Sequence, residues 1–170
     1  MNGQKSSKWL YKLLLFFLNA LSECLTWGVG ILAIGFAATS LQEPNNAQHN
    51  LTAYASLLFG IAILFEEIHA WIGAGKTLDK RFKKTLLEDP YKIDFYLPFS
   101  IFSELTVIQI RAVRMLVYTR AIVYPKSATR WADGFNFKKE VGFFDQLLVY
   151  LFVGSVAAAF LLFGVAYFIK

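Results

Sequence analysis

The chain has 170 residues, and 56% of them are hydrophobic, which is above the roughly 45–50% typical of soluble globular domains. Its 17 basic residues outnumber its 12 acidic residues and give a formal charge of +5, but they lie between apolar segments, which argues against a nucleic-acid-binding surface. The single cysteine, Cys24, excludes an intrachain disulfide framework, a CxxC redox pair and a cysteine-rich metal site.

The first apolar segment, from about residue 8 to residue 41, predicts a membrane-spanning helix. Ala20-Leu21-Ser22 resembles a leader cleavage site, but the apolar run continues beyond it, so we expect a retained helix. One face of this helix carries polar and small side chains, which we expect to contact protein, because polar groups facing lipid cost free energy and small residues allow close helix approach. These residues are Asn19, Ser22, Glu23, Thr26 and Gly30.

The next stretch, residues 42–52, predicts a loop. It contains Pro44 and three asparagines but no lysine or arginine, which places it on the non-cytoplasmic side of the membrane. A second apolar segment follows at about residues 53–75 and predicts a second span. The ionisable residues within this segment are Glu66, Glu67 and His69.

Residues 76–94 carry six basic residues and predict a loop on the cytoplasmic side, or on the equivalent side of an organelle membrane. A short interfacial helix is expected over residues 77–87, ended by Asp89-Pro90. The lysines before the first segment place the N-terminus on this same side.

The third segment, about residues 95–119, is ambiguous. It is largely apolar, but Glu104, Arg111 and Arg114 lie on one helical face. That face fits a spanning helix whose polar side meets the other helices. It also fits a helix lying in the interface, with its arginines among lipid phosphates.

The fourth segment, about residues 146–169, is continuously apolar and long enough to cross about 30 Å of hydrocarbon. Its Gly154 and Ala158 repeat the small-residue spacing of close-packed membrane helices. The predicted fold is therefore an all-α, polytopic integral membrane protein, a single bundle of four transmembrane helices over residues 1–170. The alternative has three spans plus an interfacial or re-entrant third segment, and the distribution of basic residues favours it.

Four spans predict a layer of ionisable groups in the cytoplasmic half of the bundle. Such groups cost about 2.5–3.5 kcal/mol at a helix centre on insertion scales, so they are candidates for function. Buried carboxylates beside a histidine are suited to a proton or cation pathway. The candidates are Glu23, Glu66, Glu67, His69 and Glu104, with Arg111 and Arg114 as partners for charge pairing or lipid phosphate.

Two further chemistries have weaker support. Glu66-x-x-His69 has the spacing of di-metal carboxylate bundles, but the chain has no second such pair, and it lacks P-loop, GxGxxG and GxSxG motifs. No metal site or cofactor is therefore assigned. Arg111, Arg114 and Arg120 recur at multiples of three, as on a voltage-sensing helix, but position 117 is valine and interrupts the series.

The functional prediction is a non-catalytic accessory or assembly subunit of a larger membrane complex. Small size, simple helices and the lack of a chemistry motif favour it over a proton or cation pathway. The expected partners are the lipid bilayer and other membrane subunits or a second copy of the chain. Helix packing is expected to use Gly30, Gly154 and Ala158.

Overall fold

The computed structural model describes residues 3–42, 46–88 and 110–169, which are helical throughout apart from short turns. Within these residues, three helices are long and apolar enough to cross a membrane, namely Trp9–Ser40, Ala47–Trp71 and Phe143–Phe168. This confirms the all-helical class, but a four-span bundle is not confirmed. The elements are α1 (Gly3–Ser40), α2 (Ala47–Trp71), α3 (Ala74–Glu88), α4 (Arg111–Val123), a 3-10 turn (Pro125–Ala128), α5 (Phe137–Glu140) and α6 (Phe143–Phe168).

The described part of the predicted third segment does not span. Residues 95–109 lie outside the described residues, and α4 begins at Arg111 and ends at Val123. Its 13 residues cover about 20 Å, less than the roughly 30 Å of a hydrocarbon core. The helix ends where it does because Tyr124 precedes Pro125 and leaves the helical conformation, with φ −129° and ψ 80°.

The second helix begins six residues before its predicted start, inside the predicted loop. Asn46 is its N-cap, and the Asn46 side chain accepts a hydrogen bond from the backbone N–H of His49 at 2.9 Å. Asparagine is among the favoured residues at this position because its side chain satisfies an otherwise unpaired N–H of the first turn. At the other end α2 stops at Trp71, and α3 starts only three residues later at Ala74.

The chain divides into two compact units. Unit 1 comprises Met1–Leu25 and Thr77–Glu140, and unit 2 comprises Thr26–Lys76 and Val141–Lys170.

The core of unit 1 is aromatic. The Phe82 ring of α3 lies 5.0 Å from the ring of Phe135, 5.2 Å from Phe137 and 5.7 Å from Trp131, centre to centre. These separations are those of favourable ring pairs. A turn at Asp133 and Gly134, both with positive φ, precedes the two phenylalanines. The core of unit 1 also includes the large buried side chains of Leu78, Leu86, Met115, Tyr118 and Ile122.

The core of unit 2 is made largely of small residues. Along α2 the buried positions include Ala53, Ala55, Gly60, Ala62 and Ala70. A Cβ at Gly60 would lie 3.0 Å from the carbonyl oxygen of Gly30, so the backbones of α1 and α2 approach closely here. Helix α6 packs against α2 and contributes Leu148, Val149, Ala159 and Ala166.

Candidate functional site

In unit 1 a buried arginine is held by a carboxylate. Arg114 on α4 is only 3% exposed, and its Nε donates to Asp79 Oδ1 at 2.6 Å while Nη2 donates to Oδ2 at 3.2 Å. This two-pronged contact is the strongest geometry that an arginine and a carboxylate form. The Tyr118 hydroxyl, one turn further along α4, donates to Asp79 Oδ1 at 3.3 Å. The three side chains therefore join α3 to α4.

The same carboxylate affects the acidity of Tyr118. Burial, the negative charge of Asp79 and the hydrogen bond to it raise the pKa of the Tyr118 phenol well above its ordinary value, and the positive charge of Arg114 offsets part of this. Tyr118 therefore stays a neutral hydrogen-bond donor at physiological pH.

A second polar contact in unit 1 is centred on Arg111, the first residue of α4. Its backbone N–H donates to Asn19 Oδ1 at 2.9 Å, and Asn19 Nδ2 donates to the carbonyl oxygen of Leu15 at 2.8 Å. Its guanidinium Nη1 lies 3.6 Å from Glu23 Oε1. Asn19 thus satisfies an N–H that the start of a helix leaves without a partner, and Glu23 and Arg111 offset each other's charge.

In unit 2, His69 is completely buried near the C-terminal end of α2. Neither ring nitrogen has a hydrogen-bond partner among the described residues. The Asp145 carboxylate, at the start of α6, is close enough to interact electrostatically with the imidazole ring. Buried polar groups are normally hydrogen-bonded, so His69, with both ring nitrogens unsatisfied, is an exception to this rule.

Asp145 also determines where α3 begins. Its Oδ1 accepts a hydrogen bond from the backbone N–H of Ala74, the first residue of α3, at 2.6 Å. A Cβ at Gly73 would collide with the same oxygen, so a larger residue there would displace the Asp145 carboxylate from this hydrogen bond. A carboxylate at a helix N-terminus is favourable because it meets both free N–H groups and the positive end of the helix dipole.

The predicted ionisable layer is only partly described. Glu23 lies in unit 1, whereas Glu66, Glu67 and His69 lie in unit 2, where Glu67 Oε2 accepts a hydrogen bond from Trp71 Nε1 at 2.9 Å. Glu104 lies outside the described residues. The relay that would join these residues therefore stays a prediction.

The three predicted packing residues differ in their surroundings. A Cβ at Gly30 would lie 3.1 Å from Ile63 Cγ2, whereas a Cβ at Gly154 would meet nothing within 4 Å. Ala158 is half-buried on α6.

Two carboxylates that organise these clusters, Asp79 and Asp145, are not among the site residues predicted from the sequence. Asp79 lies within the predicted basic loop, but on a helical wheel it borders the buried face of α3 formed by Leu78, Phe82 and Leu86. Asp145 was passed over as the residue before the fourth span. Their positions in the sequence are the signal that could have identified them. Asp79 lies beside an apolar helical face, and Asp145 lies at the start of a helix.

No family model, curated protein or solved structure matches this chain. The described residues contain no group of three or more His, Cys, Asp or Glu side chains that would hold a metal ion. Function therefore has to be inferred from individual contacts and from the exposed surface of the helices.

Proposed function

We propose that the chain is a non-catalytic integral membrane protein that acts as an accessory or assembly subunit of a larger membrane complex. The observation that supports it concerns the glycines of the three apolar helices. Gly30 and Gly60 are packed against neighbouring residues, whereas at four others a Cβ would meet nothing within 4 Å among the described residues. These four are Gly28, Gly35, Gly154 and Gly164.

Open glycines within a membrane helix have a cost and need a compensating contact. Glycine destabilises a helix interior by roughly 0.5–1 kcal/mol relative to alanine, and it gives lipid chains less apolar surface than leucine or phenylalanine would. Small residues in membrane helices favour close contact with another helix. Uncovered glycines on α1 and α6 are therefore best explained by helices from a partner subunit or from a second copy of the chain.

The pairing of charged groups in unit 1 is consistent with a structural role. Arg114 is paired with Asp79, and Arg111 with Glu23. Each pair joins two segments that are distant in sequence, so these charges stabilise packing within unit 1.

The first experiment is purification of the tagged full chain in a gentle detergent, with mass spectrometry of the proteins that accompany it. We expect stoichiometric partners for the wild type and their loss in Gly154→Leu, because the new side chain adds bulk at a position where a Cβ has no neighbour within 4 Å among the described residues. Phe163→Trp is the matched control, since it adds bulk at an exposed α6 position on the side of the helix opposite Gly154. Full retention of the partners by Gly154→Leu would contradict the proposal.

The packing directions support a topology with three spans. Gly30 meets Ile63 and Gly60 meets Ile34, so α1 and α2 run antiparallel. Asp145 at the start of α6 meets the residues just after α2, so α2 and α6 are antiparallel as well. We propose that the N-terminus and residues 72–142 lie on the cytoplasmic or equivalent side, which leaves only Lys170 of the 17 basic residues on the other side.

Labelling of single cysteines tests this topology. In a Cys24→Ser background, Lys126→Cys and Gln48→Cys place one thiol in each of the two exposed regions. A membrane-impermeant maleimide confined to the non-cytoplasmic side of the sealed membrane should label the cysteine at position 48 and spare the one at position 126. Labelling of both from the same side would rule out the three-span arrangement.

A proton pathway is the second candidate, and buried His69 favours it. A histidine without hydrogen-bond partners beside a carboxylate is suited to taking up and releasing a proton. In proteoliposomes with an imposed pH gradient, this role requires proton flux in the wild type and its loss in His69→Gln, while His49→Gln in the first turn of α2 retains it. The absence of flux in the wild type, with or without co-purified partners, would remove this candidate.

A further inference from the structure

Helix α3 has two chemically distinct faces. Leu78, Phe82 and Leu86 are buried on one of them and form part of the core of unit 1. At about 100° per residue the opposite face spans an arc of about 100°. It carries four exposed lysines, Lys76, Lys80, Lys83 and Lys84.

The acidic residues of α3 leave this lysine face mostly uncompensated. Asp79 borders the buried side and binds Arg114 and Tyr118. Glu88 lies outside the arc and reaches one member of the face, Lys84, at 3.6 Å, in an exposed pair of the kind that contributes little. As far as the described residues show, most of the positive charge of the lysine face therefore remains available to an external anion.

Another basic residue of the helix is directed to the protein. The Arg81 guanidinium lies over the Phe135 ring at 4.2 Å and over the Phe82 ring at 5.4 Å. This cation–π contact uses arginine for packing, whereas the four lysines are compact, strongly hydrated charges on flexible stems. In α3, therefore, Arg81 packs against the protein, whereas the four lysines remain exposed.

The chain connection limits where the helix starts. Helix α2 is apolar and long enough to span a membrane, it ends at Trp71, and α3 begins at Ala74. The Asp145 hydrogen bond to Ala74 holds this junction together. Lys76 is therefore only five residues beyond the end of a membrane helix, close to the depth at which lipid headgroups lie.

We propose that the lysine face of α3 binds the anionic headgroups of the surrounding lipid leaflet. The lysines supply the charge complementary to lipid phosphate, and basic clusters immediately beside a membrane helix are attracted to anionic lipid with a strength that falls at high salt. This goes beyond an assembly role, since it assigns a lipid class and a binding surface that do not depend on partner proteins.

The test uses the full chain in nanodiscs made from equal parts of phosphatidylcholine and phosphatidylglycerol. After gentle extraction, the phosphatidylglycerol retained by the protein is quantified relative to phosphatidylcholine. The wild type should retain more phosphatidylglycerol than phosphatidylcholine. Each lysine that reaches a headgroup should raise the affinity for phosphatidylglycerol about fivefold. The fourfold lysine-to-glutamine variant at Lys76, Lys80, Lys83 and Lys84 should lose this enrichment.

Two matched variants make the result specific. A second fourfold glutamine variant removes the same charge from exposed lysines elsewhere and should keep the enrichment. A fourfold arginine variant of the α3 lysines keeps the charge and should keep the enrichment too, which separates loss of charge from loss of fold. The second glutamine variant alters Lys12, Lys126, Lys138 and Lys139.

Three outcomes would overturn the proposal. One is equal enrichment in the wild type and in the α3 glutamine variant. Another is loss of enrichment in the arginine variant. The third is binding of inorganic phosphate to the wild type in pure phosphatidylcholine with the same affinity as phosphatidylglycerol. A free anion would then be the ligand. If the α3 glutamine variant instead loses a co-purifying acidic protein and keeps its lipid, the surface binds protein.

Discussion

The two units fill their interiors with different side chains. In unit 1 the buried positions include Phe82, Tyr118, Trp131 and Phe137, together with an ion pair. In unit 2 alanine and glycine predominate at the buried positions of α1 and α2, and no aromatic ring is among the buried hydrophobic residues described there. This difference matches the two forces that hold helices together, one in water and the other in lipid.

In water, burial of large apolar side chains drives packing, at roughly 25 cal/mol per Å². Between helices in lipid this drive is absent, because lipid chains are as apolar as leucine, and close backbone approach through small residues takes its place. Residues 77–88 and 110–140 are thus packed like a protein core in water, whereas α2 and α6 are packed like membrane helices. The buried arginine of α4 and its carboxylate partner belong to the first kind of packing.

The largest expected effect comes from removing the centre of the aromatic core. Phe82→Ala should destabilise unit 1 by about 3–5 kcal/mol, since the ring contacts three other aromatic rings. Limited proteolysis in detergent should then cut within residues 77–140 first. Phe144→Ala is the matched control at a ring that is 61% exposed, and an equal loss there would contradict the distinction between the units.

The buried ion pair gives the next effect. Asp79→Ala leaves Arg114 buried without this carboxylate and removes the acceptor of the Tyr118 hydroxyl. The expected cost is about 3 kcal/mol, read as a lower thermal unfolding temperature in detergent. In the exposed pair, Glu88→Gln should change stability by about 0.5 kcal/mol or less. Similar shifts for both variants would show that Arg114 is not held by Asp79.

Glycine substitutions test the packing of unit 2. Gly60→Ala should cost about 1–3 kcal/mol through overpacking, because its Cβ would lie 2.5 Å from Ile34 Cγ1 and 3.0 Å from the Gly30 carbonyl oxygen. Gly154→Ala has open space and should be neutral or slightly stabilising in the isolated chain. Thermal unfolding of the two variants in the same detergent gives the comparison, and a reversed order would contradict packing through small residues.

The sequence was most informative where one physical effect dominates. Length and hydropathy predicted the three apolar helices because insertion depends on little else. The same reasoning missed the start of α2, where a single Asn46 side chain extends the helix into a polar segment.

The contacts of the candidate site were less predictable. The helical face that carries Arg111 and Arg114 was visible, but their partners Glu23 and Asp79 are distant in sequence. Only the folded chain specifies such pairs. Likewise, periodicity identified Gly30 and Gly154 as similar small residues, and three-dimensional packing distinguishes them.

The smallest effect at neutral pH concerns Tyr118. Its pKa in the folded chain is raised by burial and by Asp79, so its contribution to stability is fully present below pH of about 10, the ordinary value for tyrosine. Above that pH the unfolded chain loses the phenolic proton while the folded chain keeps it. The free energy of unfolding should therefore fall by up to about 1.4 kcal/mol per pH unit from this group.

Tyr118→Phe should remove that part of the slope in alkaline unfolding experiments, whereas Tyr124→Phe at an exposed position should leave it in place. Identical slopes for the wild type and Tyr118→Phe would mean that the hydrogen bond to Asp79 does not hold the phenol in its neutral form.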